Sequence, residues 1–139
     1  MSINVTRITN RATKTRTLLD GARFTLVTHR AALTKARQDA ANAEIALANH
    51  HAIVANAKEL GDTTLVDSET EAAVVASKTL SDKNNEVLDL VTKEVPLSAA
   101  VARFEEVLAK QEAAVARKEA VYPALLKRHQ RRMANNKAA

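Results

Sequence analysis

The sequence predicts an all-α chain, a long antiparallel helical hairpin of coiled-coil type. Three observations predict it: two apolar lines spaced alternately four and three residues, an alanine-rich composition with 2% aromatics, and a polar break at Gly61-Asp62-Thr63-Thr64. A four-three spacing keeps one line of side chains on one side of an α-helix, because 3.5 residues is close to one turn. Alanine raises helix propensity but adds little burial energy, whereas a buried Leu or Val contributes ~1.5–3 kcal/mol. Long helices packed closely in pairs suit such a chain, and its 139 residues fit a single elongated domain over 1–139.

The first line runs from Ile8 through Ala12, Thr15, Leu19, Leu26, His29, Leu33 and Ala40 to His50, Val54 and Ala57. It predicts a first arm over about residues 5–60. Glycine suits the left-handed position past a helix end, so Gly61 closes this arm and a turn occupies 61–67. Ser68 and Glu71 have the spacing of a capping box, which starts the second arm at 68 and carries it to about 134, before a short tail.

The second line runs from Ala73 through Leu80, Val87, Leu90, Glu94, Leu97, Val101, Phe104, Leu108 and Val115 to Tyr122, Leu125 and His129. Proline lacks an N–H and breaks or kinks a helix, so Pro96 allows a three-helix up-down-up bundle as the alternative. The line nevertheless keeps its phase across Pro96, which favours one arm kinked there and again at Pro123.

Antiparallel partners have residue numbers with a constant sum. A turn centred between Gly61 and Ser68 places that sum near 130, with Leu26 facing Phe104, His50 facing Leu80 and Val54 facing Ala76. Arg16, Arg23, Arg30 and Arg37 recur every seven residues beside the first line, and Glu105, Glu112 and Glu119 beside the second. Arg23 with Glu105 and Arg16 with Glu112 are the expected pairs. Arg30 and Arg37 then face Ser98 and Val91 and are left without an acid, as candidate partner-binding residues.

Phe24, Val27, Ile45, Val74, Val75 and Leu88 fall outside both lines. A two-helix hairpin cannot cover them, and helical stability comes mainly from tertiary packing. Phe24, Ile45, Val74 and Leu88 are therefore candidate contacts to copies of the chain or to other subunits, in the manner of a four-helix bundle.

Charge is partitioned. Residues 1–39 carry eight basic and two acidic side chains, residues 40–126 eight and fourteen, and residues 127–139 five basic ones. A hairpin gathers both basic stretches at its open end. Arg7, Arg11, Lys14, Lys127, Arg128, Arg131 and Arg132 are candidates there for binding phosphates or an acidic protein surface. Arg7, Arg11, Lys14 and Arg16, with many threonines and no acid before Asp20, also fit the composition of a mitochondrial transit peptide. The apolar line passes unbroken through that stretch, which favours a structural segment.

Chemistry is sparsely encoded. Two glycines cannot build a P-loop or a dinucleotide fingerprint. Without cysteine there are no disulfides or thiolate metal sites. His29, His50, His51 and His129 lack a second ligand at i+4, so no metal is expected. His29 and His50 instead lie on the inner line, where they would lend the packing pH sensitivity. Glu105 and Glu106 diverge on a helix, and no paired-carboxylate site forms. No apolar run reaches the ~18–20 residues of a membrane span, and no signal peptide is apparent.

The reading is a non-catalytic structural or assembly protein, without cofactor or small-molecule substrate. It is expected to be soluble, in the cytoplasm or within a macromolecular assembly. Virion parts and secretion-type stalks share this composition. Nucleic-acid binding through the basic open end is the alternative, with almost no aromatics for base stacking. An amphipathic membrane-surface binder ranks behind both, since its face would need to be wider and bulkier.

Overall fold

A computed structural model of the chain describes residues 3–138, with side chains described for 4–137. Two helices account for almost all of it: α1 over Ile3–Leu60 and α2 over Thr63–Ala138. There is no strand among the described residues. The helices pack as an antiparallel hairpin, as the two apolar lines predict.

The turn is tighter than expected. Gly61 takes a positive φ of 71°, its N–H donates to Lys58 O, and the Asp62 N–H donates to Ala57 O. This is a Schellman closure, which satisfies the carbonyls of the last turn. Asp62 also opens α2: its carboxylate accepts the Leu65 N–H at 3.1 Å, and its carbonyl accepts the Val66 N–H. An aspartate at this position satisfies one of the first-turn donors. The cap at Ser68 is thus corrected. Ser68 Oγ donates to Leu65 O inside the helix, because Asp62 has already capped it at Thr63.

Pro96 and Pro123 both lie inside α2 without ending it. The chain does not reverse at Pro96, and the hairpin has two helices where the alternative needed three.

Two compact units make up the chain. The turn unit comprises Thr25–Leu97. Its core consists of Leu26, Leu33, Ala36, Ala40, Ala57 and Ala73, with the remaining inner positions half-buried. Its cross-helix bonds are His50 to Glu69, His29 to Leu90 and Arg30 to Glu94. These residue numbers sum to 119, 119 and 124, close to the 123 of a turn centred on Gly61 and Asp62. The two histidine bonds lie well below the expected sum of 130, so His29 and His50 meet α2 nearer the turn than the spacing implies. His50 lies beside Glu69, not Leu80, because α2 starts five residues earlier than Ser68 implies.

The second unit comprises residues 1–24 and 98–139. Val5, Ala12, Thr15 and Leu19 are buried, against a half-buried line through Val101, Phe104, Leu108, Gln111 and Val115. Threonine is tolerated here because its hydroxyl returns to the helix. Thr9 donates to Val5 O, Thr13 to Thr9 O, Thr15 to Arg11 O and Thr17 to Thr13 O. Arg16 meets Glu112 at 2.7 Å and Arg23 meets Glu105 at 3.1 Å, the two pairs expected from the heptad spacing. These exposed pairs select register more than they stabilise it.

Candidate interaction surfaces

The residues outside the inner lines are where the helices place them, on open faces. Phe24 is 73% exposed in its unit. In the turn unit Ile45, Val74 and Leu88 are similarly open, together with Val27, Val75 and Val95. Leu88, Val91 and Val95 follow one another at i, i+3 and i+7 and form a continuous apolar strip on α2. Val91 and Val95 escaped the sequence reading, which took neither as a candidate; their spacing from Leu88 was the signal.

Arg30 is not left without an acid. Its Nε lies 3.1 Å from Glu94 Oε1, an inner-line residue one helical turn from Ser98. The arginine stem is long enough to cross that turn, which is the physical reason for the correction. Arg37 forms no ion pair among the described residues and stays exposed.

The basic candidates Arg7, Arg11, Lys14, Lys127, Arg128, Arg131 and Arg132 all belong to the unit formed by 1–24 and 98–139. All are exposed, and none enters a salt bridge among the described residues. In the same unit the inner line of α2 changes character. Up to Val115 it is half-buried, whereas Lys118, Tyr122, Leu125 and His129 are exposed. Counted from the Arg16–Glu112 bond, the thirteen described residues of α1 beyond Arg16 reach to about the level of Leu125, leaving His129 beyond them. At the level of Tyr122 and Leu125, Asn4 and Val5 of α1 stand beside the line.

A groove of about 660 Å³ lies along this stretch, lined by Asn4, Val5, Ala114, Arg117, Lys118, Val121, Tyr122, Leu125, Leu126 and His129. Its walls are aliphatic and aromatic, and its charged residues are all basic. No acidic side chain lines it. Compared with protein-family models, curated proteins and solved structures, the chain matches none. The geometry of these surfaces carries the functional reading.

Two of the four histidines are occupied in packing, while His51 and His129 are exposed. His29 Nε2 donates to Leu90 O at 2.6 Å, and His50 Nδ1 lies 2.6 Å from Glu69 Oε2. Among the described residues no group of three or more His, Asp or Glu side chains is placed to hold a metal ion. No helix of the described residues is long and apolar enough to cross a membrane.

Proposed function

We propose that this chain is a non-catalytic assembly component, a helical hairpin that packs against copies of itself or against other protein subunits. The observation that supports this most is the imbalance of its apolar side chains. Among the described residues the buried core holds four large ones, Val5, Leu19, Leu26 and Leu33, with five alanines, while eighteen large apolar side chains are exposed. Scattered exposed apolar residues are ordinary. Here they outnumber the core, and strips such as Leu88-Val91-Val95 have the character of an interaction face. Thin helical pairs gain most from a further packed layer.

The test is the mass of the chain in solution, by light scattering over a range of concentration, together with its thermal melting. Association with a melting point that rises with concentration supports the reading. A monomer that melts cooperatively at a concentration-independent temperature overturns the self-packing form of it.

A second reading is nucleic-acid binding by the basic unit, favoured by the seven exposed cations that enter no salt bridge among the described residues. Phosphate contacts would give sequence-indifferent affinity that falls steeply with salt. Reversing Arg131 and Arg132 to Glu would then abolish binding to a duplex and flatten the salt dependence.

A further inference from the structure

We propose that the basic groove on α2 is a docking site for the turn segment, residues 59–71, of a second copy of this chain. The proposal rests on the assembly reading above and gives it one specific contact. The inner line of α2, half-buried as far as Val115, continues in the same spacing through Tyr122 and Leu125, where it is exposed. The groove is thus a continuation of the helix-packing seam, with Asn4 and Val5 of α1 along one side of it. Its shape and apolar walls, Val121, Tyr122, Leu125 and Leu126, suit an apolar anchor.

Charge selects the occupant. Residues 117–138 carry seven basic side chains, Arg117, Lys118, Lys127, Arg128, Arg131, Arg132 and Lys137, against Glu119 alone. Two such segments repel one another, so like-with-like pairing of these α2 ends is disfavoured. The turn segment has the opposite balance: Glu59, Asp62, Asp67, Glu69 and Glu71, with no basic residue between 59 and 71. It also presents an apolar anchor, Leu60, which is 83% exposed beside Glu59. Leu60 seated between Tyr122 and Leu125 of another copy would put Glu59, Asp67 and Glu71 near Arg117, Lys118 and the basic residues that follow. Groove and turn are different surfaces, so the contact is heterologous, and each chain offers one of each.

The test uses the full chain in two variants, one with Tyr122→Glu and Leu125→Glu, the other with Glu59→Lys, Leu60→Ser and Asp67→Lys. All five positions are exposed, and circular dichroism verifies helicity. The native chain is expected to associate at low salt and to dissociate at least tenfold more readily at high salt. Each variant alone is expected to be monomeric, and their equimolar mixture to form a dimer and nothing larger, since one intact groove and one intact turn remain.

Should either variant lose helicity, mixed single-cysteine chains, Leu60→Cys with Leu125→Cys, give a second measurement in a protein without native cysteine. Linkage between the two different chains should then exceed linkage within each kind. Variants that associate as the native chain does, or a mixture that stays monomeric, overturn the docking contact while leaving assembly through other faces standing. A native chain that is monomeric throughout overturns the contact and the self-packing reading together. Association that is unmoved by salt, or that requires an added acidic protein or nucleic acid, assigns the groove to a different occupant and overturns the proposal.

Discussion

His50 Nδ1 and Glu69 Oε2 lie 2.6 Å apart across the hairpin, joining two residues only nineteen positions apart in the chain. Both point inward, and both are partly shielded from water. The bond therefore fixes the alignment of the helices next to the turn. Replacing Glu69 with Ala leaves the His50 N–H to a partly desolvated site and is expected to lower stability by about 1 kcal/mol. Urea unfolding checks this. A following His50→Ala in the same chain should cost much less than it does alone, which a double-mutant cycle reads directly.

The turn depends on one backbone conformation. Gly61 has φ 71°, and nothing stands within 4 Å of where a Cβ would be. The cost of Gly61→Ala is therefore conformational and not a clash, about 1 kcal/mol. Gly61→Asn should be milder, because asparagine tolerates the left-handed region. A denaturation midpoint ordered Gly, Asn, Ala is the expected result.

Core truncation should be felt most where a large side chain is buried among alanines. Leu33 is 4% exposed, and Leu33→Ala is expected to destabilise by about 2–4 kcal/mol. Its neighbours Ala36 and Ala40 cannot grow to fill the space. Glu44→Ala, on the exposed side of α1, should stay within about 0.5 kcal/mol.

One polar group is misplaced in energetic terms. Gln111 Oε1 is buried without a hydrogen-bond partner, on the inner line of α2. Gln111→Leu removes that desolvated oxygen and adds apolar contact, so a gain of about 1–2 kcal/mol is expected in unfolding experiments. A polar residue on such a line is one way a helix pair selects its register, and the variant should be inspected for a second aligned form.

The Lys110 ammonium donates to Glu106 at 2.9 Å, and this hydrogen bond, with the lysine charge, holds the Glu106 carboxyl below the ordinary 4.5. A lowered carboxyl contributes stability above its unfolded value and loses it as pH falls through the folded one. Carboxyl titration by NMR should place Glu106 below the ordinary glutamate value. Lys110→Met should return it to the ordinary range. The pair is fully exposed, and its effect on global unfolding should be slight.

Periodicity made the interior legible almost residue by residue. Every inner position read between Ile8 and Ala57, and between Ala73 and Val115, is buried or half-buried. Heptad spacing likewise found the Arg16–Glu112 and Arg23–Glu105 bonds. The alignment near the turn was not legible, because it depends on where α2 begins, and Asp62 outcompeted Ser68 as a cap for a local reason, its position directly after Gly61. Arg30 was misread because a spacing rule ignores the reach of a long side chain. The exposed strips were visible as residues left over, but the groove was not: Tyr122 and Leu125 follow the inner pattern faithfully, and pattern cannot reveal how fully the facing helix covers them.

The junction at Gly61 and Asp62 has a bearing on how this chain can change in length. Each of the two residues already serves a helix end, so the connection holds no slack. A single residue added within one arm turns everything beyond it by about 100° and carries its apolar line away from the other arm. Insertions and deletions in descendants of this sequence should accordingly come as seven-residue blocks, occurring in both arms at matching levels.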